Sequence, residues 1–265
     1  MDQPPIFDPS APGAPPPLPP TTSLAARLLN VFATPGEVFA EVATTPKRFS
    51  NWLVPTLIAC AVFMTSVVIL FSQPAIQQKI REQQQQAMDK NVKAGKMTQA
   101  QADQAMAMVE KFSGPTLMKI FGSIGAAVWT FGAMFLWAFG LWLLGLWIFK
   151  VEISYLKAVE VVSLAGMISV LGEIVTLLLR VNLGNPSSTP SLALAVGEID
   201  PQNPMHLILA LLDLFVIWHL IVLSVGFAKL ANVPFRRVVF VIALTWLVVR
   251  ILLIAGSVAW LRMFT

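Results

Sequence analysis

Residues 117–148 read LMKIFGSIGAAVWTFGAMFLWAFGLWLLGLWI and contain a single charged side chain, Lys119. A helix needs about 20 apolar residues to cross the hydrocarbon core of a bilayer. This stretch is therefore long enough to span a membrane as a helix that tilts or projects beyond the lipid. Its repeated glycines allow neighbouring helices to approach closely, either within one chain or along a seam between two copies in a homo-oligomer.

Four further apolar stretches have a similar character, at residues 52–73, 155–181, 205–229 and 236–262. The chain has only 12% charged residues, whereas about 25% is usual in a soluble domain. Five spans of this kind predict an all-α polytopic membrane protein with a five-helix transmembrane bundle at residues 52–262. The lipid bilayer is therefore the first partner that we expect for this protein.

The N-terminal region divides into a tail and an amphipathic segment. Residues 1–22 are rich in proline and predict a disordered tail. Within residues 23–51, Ser23 is a good N-cap, and the quartet Thr34 to Glu37 is a capping box with proline at the first helical position. This pattern predicts two short helices that lie in the cytoplasmic interface. A soluble cap packed under the bundle is the alternative.

Residues 74–116 form the one sizeable polar insert between spans. Gly95 ends a glutamine-rich helical run, and Thr98 with Gln101 makes a second capping box. We therefore expect an extramembrane helical hairpin. Both a partner-binding role and a solvated spacer are open for it.

Basic residues near the span ends predict the orientation of the chain. Lys and Arg are enriched in cytoplasmic loops. The side that we therefore assign as cytoplasmic carries Arg27, Lys47, Arg48, Lys150, Lys157, Lys229, Arg236 and Arg237. Apart from the polar insert, the opposite side carries only Arg180 and Arg262. We expect the cell inner (cytoplasmic) membrane, with a cytoplasmic N-terminus and with the C-terminus and the 74–116 hairpin periplasmic or extracellular. The net charge of +4 is explained by these flanks and does not indicate a nucleic-acid partner.

Ionisable residues inside spans are functional candidates, because each costs a few kcal/mol unless it is paired. At about 1.5 Å per residue, Glu173 and Asp213 lie roughly 12 Å below the outer surface and Arg250 roughly 18 Å below it. These depths predict an ion pair of Arg250 with Asp213, Glu173 or both. Such a pair either locks the third, fourth and fifth spans together or lines a proton or solute path. No proline interrupts a span interior, which favours the lock. Glu160 lies close enough to the inner surface to reach water or Lys157, and His219 is expected to be a satisfied interior histidine.

Catalytic and metal-binding motifs are missing from the sequence. With only His206 and His219, a multi-histidine metal site is impossible, and neither a zinc-protease motif nor a nucleophile elbow occurs. We therefore expect a protein that is not an enzyme and that has no cofactor.

Three segments carry a resemblance to a known family. Residues 149–157 (FKVEISYLK) and 230–237 (LANVPFRR) each place an aromatic residue, Tyr155 or Phe235, two residues before a base at the start of a helix. Residues 29–39 read LNVFATPGEVF ahead of the first span. Together with five spans, this pattern resembles bacterial members of the Yip-one (Ypt-interacting protein) family over about residues 25–262.

The resemblance implies a non-catalytic membrane protein that binds other proteins, as a scaffold or as an accessory or assembly partner, for example of an ABC exporter. The Asp-Leu-Tyr-Gly-Pro signature of eukaryotic members is absent. Two other functions stay open: a small transporter, channel or lipid scramblase that uses the intramembrane charges, and a membrane-shaping protein. The candidate partner surface comprises the hairpin at 74–116 together with Phe32, Val38, Phe39, Tyr155 and Phe235.

Overall fold

The structure, a computed structural model, describes residues 22–112, 114–197 and 203–263, and this part of the chain is helical almost throughout. Except for Thr22, the predicted tail at 1–22 lies outside the described residues. A π-helical turn, Gly145–Phe149, extends the sixth helix. The α-helices are α1 (Leu24–Ala33), α2 (Pro35–Thr44), α3 (Ser50–Leu70), α4 (Pro74–Lys93), α5 (Gln99–Phe112), α6 (Pro115–Leu144), α7 (Tyr155–Ala165), α8 (Met167–Leu183), α9 (Pro204–Leu211), α10 (Leu214–Ala231) and α11 (Phe235–Met263).

The prediction of an all-α, five-span fold is confirmed. Five helical stretches are long and apolar enough to cross a membrane: Ser50–Leu70, Pro115–Phe149, Tyr155–Leu183, Leu214–Ala231 and Phe235–Gly256. Large apolar side chains cover their outer faces, and Val128 and Phe240 are each 68% exposed. A water-soluble monomer rarely exposes so much contiguous apolar surface, whereas lipid solvates it readily.

Two spans differ from their predicted form. The third span is interrupted for one residue, at Gly166 between α7 and α8, where the backbone keeps right-handed helical angles (φ −58°, ψ −19°). The fourth was expected over 205–229 but starts at Leu214, because residues 204–211 form the separate helix α9. There the Asp213 carboxylate accepts the N–H groups of Phe215 and Val216 at 2.8 and 3.1 Å, which starts a new helix.

Helices α1 and α2 form an antiparallel pair joined at Thr34, which we call the N-terminal hairpin (residues 24–44). Pro35 stands at the first helical position of α2, as predicted, but no side-chain hydrogen bond caps this helix, so the capping box expected at Thr34 to Glu37 is not formed. The hairpin does not lie flat with its apolar face toward lipid. It buries Val31, Val38, Phe39 and Val42 in the common core of the protein. This packing favours the alternative, a cap against the bundle, and the location of the hairpin relative to the lipid stays a prediction.

A close approach at Gly226 lets α2, α7 and α10 meet. A Cβ atom at this position would lie 2.5 Å from a methyl group of Val161 and 3.2 Å from the ring of Phe39. Phe39 is 1% exposed at this crossing. Small residues at helix crossings allow such contact in membrane proteins, and here Gly226 admits the N-terminal hairpin into the bundle.

Residues 74–112 form the helices α4 and α5, which turn at Gly95 with a φ of +71°. The capping box predicted at the start of α5 is present. Thr98 N–H donates to the Gln101 side chain at 2.8 Å, and Gln101 N–H donates to the Thr98 hydroxyl at 3.3 Å. We call this pair the extramembrane hairpin; its location outside the lipid stays a prediction from its polarity.

Replacing Gly226 with alanine should destabilise the bundle. The added methyl group forces Val161 or Phe39 to move, and overpacking of this kind costs about 1–3 kcal/mol. Gly132→Ala on α6 is the matched control, because nothing lies within 4 Å of a Cβ atom there. Thermal unfolding in one detergent should show a lower Tm for Gly226→Ala only. Equal melting temperatures for the two variants would contradict the proposed contact.

Candidate functional site

A buried polar network joins the N-terminal hairpin to the start of the first span. Arg27, which is 1% exposed, pairs with Glu41 at 2.7 Å across the hairpin. A second nitrogen of the Arg27 guanidinium, Nη1, donates to Asn51 Oδ1 at 2.8 Å. Asn51 in turn donates through Nδ2 to Glu160 Oε2 at 2.8 Å. One chain of hydrogen bonds thus connects α1, α2, α3 and α7.

Glu160 is the centre of this network and is 1% exposed. Besides Asn51, it accepts the N–H of Arg48 at 3.0 Å and forms an ion pair with Lys157 at 3.1 Å. Lys157 Nζ also donates to the carbonyl groups of Val42 at 2.8 Å and Pro46 at 3.3 Å. Each buried charge therefore has an opposite charge and further hydrogen bonds, which is what keeps buried ions tolerable.

The network as a whole is not evident from the sequence. Lys157 was one of two expected partners of Glu160, besides water, whereas the roles of Arg27 and Asn51 were missed. One signal was available: Arg27 precedes Val31 by four residues, so a charge stands on the same face of α1 as its buried apolar side chains.

The predicted ion pair among Glu173, Asp213 and Arg250 is not formed. Asp213 caps α10, since a helix N-terminus offers free N–H groups to a carboxylate. Glu173 lies 4.0 Å from Arg180 on its own helix. Arg250 is exposed on α11 with its guanidinium 5.8 Å from the ring centroid of Trp246. The prediction is corrected: depth alone placed these groups together, whereas in the structure each of them has a different partner.

The predicted partner surface is also corrected. Val38 is 4% and Phe39 1% exposed, so neither is accessible to a partner. Phe32 is half-buried with its ring 6.0 Å from that of Trp218. Tyr155 is half-buried and donates its hydroxyl to the Phe135 carbonyl at 3.2 Å. Only Phe235, at 42% exposure, keeps a substantial free surface.

A crevice lies between α3, α6 and the broken third span. It has a volume of about 340 Å³, and its lining includes Glu173, Ser169 and His219. His219 Nδ1 lies 3.2 Å from the Ala165 carbonyl and 3.3 Å from the Ser169 hydroxyl. A carbonyl can only accept, so Nδ1 carries the proton in this contact. His219 therefore satisfies the backbone beside the Gly166 break, in agreement with its expected role as an interior histidine.

A second concavity, of about 260 Å³, lies at the base of the extramembrane hairpin. Its apolar lining includes Ile80, Met106, Val109 and Met118, and Arg81 and Gln84 add polar groups. Met108 on the same hairpin is 67% exposed. Methionine-rich surfaces adapt to differently shaped partners, so this groove is chemically suited to contact another protein.

These features define a class: an all-helical, five-span membrane protein whose buried charges are used to hold an N-terminal hairpin in the bundle. Comparison with protein families then gives a specific result. The profile of the Yip1 (Yip-one) domain matches residues 29–258, and the chain belongs to this family. Its members are generally non-catalytic membrane proteins that interact with other membrane proteins. No curated protein and no solved structure matches the chain.

The contribution of Glu41 should make docking of the N-terminal hairpin sensitive to acid. Burial raises the pKa of Glu41, but hydrogen bonds from Arg27 and Thr22 and the Arg27 charge outweigh it and lower the pKa below 4.5. The carboxylate therefore stabilises the fold above pH 4.5, and this contribution is lost as the pH falls through the lowered pKa.

Thermal unfolding of wild type and Glu41→Gln from pH 7 to pH 3 measures this effect. The difference in Tm should be largest at neutral pH and shrink below pH 4.5. Glu37→Gln, an exposed carboxylate on the same helix, controls for a change of charge alone. A wild-type advantage over Glu41→Gln that persists undiminished at pH 3 would contradict the Arg27–Glu41 interaction.

Proposed function

We propose that this protein is a non-catalytic membrane scaffold that acts as an accessory or assembly partner of other membrane proteins. The main support is how its charges are used. Arg27, Lys157 and Glu160 are buried in one hydrogen-bonded network, in which Asn51 connects Arg27 to Glu160, and this network fixes the N-terminal hairpin to the spans. Groups held in this way stabilise one rigid arrangement and are not free to bind or move a solute.

The partner surface that the geometry favours is the extramembrane hairpin. Its groove combines methionine and aliphatic side chains with Arg81 and Gln84, and Met108 is exposed beside it. An apolar groove rimmed by polar groups is typical of a protein-binding surface. The N-terminal hairpin is a weaker candidate, because Val38 and Phe39 are buried. That burial also weakens the membrane-shaping hypothesis, which needs the same apolar face inserted in a leaflet.

We extend the proposal to the partner and the orientation. The partner class implied by the family resemblance, an ABC exporter, is the first to test. The charge pattern of the loops supports an inner-membrane protein with a cytoplasmic N-terminus, so that the extramembrane hairpin meets its partner on the outer side.

Site-specific photo-crosslinking in native membranes tests the scaffold. A photoreactive amino acid at Met108, 67% exposed, should give a discrete heavier adduct that mass spectrometry identifies as another membrane protein. Phe240, 68% exposed on α11, is the matched control and should react mainly with lipid. Recovery of only the monomer from hairpin positions, in several mild detergents and in native lipid discs, would overturn the proposal.

A small transporter, channel or scramblase is the second candidate, and one observation favours it. The Glu173 carboxylate lines a crevice among the spans, and an ionisable group at such a place is typical of a solute or proton pathway. This function predicts flux in liposomes that Glu173→Gln abolishes without changing the Tm. A variant that only lowers the Tm would identify Glu173 as structural.

A further inference from the structure

The crevice lies between α3, α6 and the third span, and His219 of α10 completes its lining. Trp129, one of its lining residues, is 72% exposed on the outer surface of the bundle. The volume of about 340 Å³ lies at the small end of ligand pockets, which measure about 300–1,000 Å³. A molecule can therefore enter it sideways from the bilayer.

The charged part of the crevice lining is negative. Among the described residues that line it, Glu173 is the only aspartate, glutamate, lysine or arginine. The nearest cation, Arg180, stands 4.0 Å away, at the limit of an ion pair. Glu173 thus retains capacity to accept hydrogen bonds from a second cationic donor.

Aromatic rings stand in the same lining as this carboxylate. Trp129 and Trp137 come from α6 and Phe63 from α3. Aromatic faces attract ammonium groups, and a carboxylate among aromatic side chains is a common way to recognise a substituted amine. The remaining lining on α3 and α6 is largely small and apolar, including Ala59, Ala126 and Ala133, and suits a hydrocarbon chain.

Ser169 adds a polar group to the same side of the crevice as Glu173. It precedes Glu173 by four residues, so both side chains lie on one face of α8. A head group at Glu173 therefore lies within one helical turn of a second polar side chain.

We propose that this crevice binds an amphiphile with an ammonium head group, with Glu173 and one indole, that of Trp129, at the head and the hydrocarbon chain along α3 and α6. The inference goes beyond the scaffold function and does not depend on it. The ammonium group can belong to an aminophospholipid of the bilayer or to a free alkylamine.

Native mass spectrometry of the full-length protein tests the lipid source. The protein is released from discs of phosphatidylethanolamine and phosphatidylglycerol in equal amounts, and retained lipid is counted. Wild type should retain phosphatidylethanolamine preferentially. Glu173→Gln should weaken this retention at least about tenfold, because a charge-assisted hydrogen bond is lost. Glu152→Gln, an exposed loop carboxylate outside the crevice, should retain lipid like wild type.

A second pair of variants keeps the test decisive if Glu173→Gln does not fold. Trp129→Ala removes a largely exposed side chain and should weaken retention by about two- to fivefold. Trp147→Ala, 64% exposed at the other end of the same span, is its control and should have no effect.

Titration of dodecylamine into phosphatidylglycerol discs tests the free amine, with dodecanol as the uncharged control and the Tm as the readout. Stabilisation by dodecylamine alone, lost in Glu173→Gln or Trp129→Ala, supports a free amine as the source. Retention of phosphatidylethanolamine alone supports a lipid, and both results together support the shared ammonium chemistry. Equal retention of the two lipids without a dodecylamine effect, or binding that neither crevice variant weakens, would overturn the proposal.

Discussion

The buried carboxylate of Glu160 is the constraint on which the rest of this structure depends. It accepts hydrogen bonds from the Arg48 backbone, the Asn51 amide and Lys157, and through Asn51 it is connected to Arg27 and Glu41. An unpaired charge at such a depth would cost about 3–5 kcal/mol, so the partners must stay in place once the chain has folded. The N-terminal hairpin, the first span and the third span are thereby held in one arrangement.

This arrangement separates two regions of the molecule with different physical properties. In the region of the network, the charged groups are paired with one another, and Phe39, Val161 and Gly226 pack together. Little surface is left there for a partner to bind. The extramembrane hairpin and the crevice are different, because both keep concave surfaces with unfilled volume. Recognition of proteins and of small molecules is therefore expected away from the network, on surfaces that a rigid bundle positions.

Features set by local chemistry could be predicted from the sequence. Span number follows from apolar length, the start of α2 from the fixed φ of Pro35, and the start of α5 from the capping box of Thr98 and Gln101. Features set by tertiary contacts could not. The break at Gly166 is accompanied by a hydrogen bond from His219, on another span, and the end of α9 by backbone bonds between residues 190–192 and 212–214. Asp213 was expected at a fixed depth in a continuous helix, and this assumption placed it beside Arg250. Val38 and Phe39 form an apolar face on α2, and the sequence alone does not distinguish burial of this face in lipid from its burial in protein.

A double-mutant cycle between Arg27 and Glu160 tests the central claim most directly, because the two side chains are connected only through Asn51 in the described contacts. The free energy of unfolding would be measured in mixed micelles for wild type, Arg27→Met, Glu160→Gln and the double variant. The account predicts that the double variant loses less than the sum of the single losses, by about 1 kcal/mol, since each single change already disrupts the shared network. Losses that add within about 0.3 kcal/mol would show that the N-terminal hairpin and the third span are energetically independent, which contradicts the account.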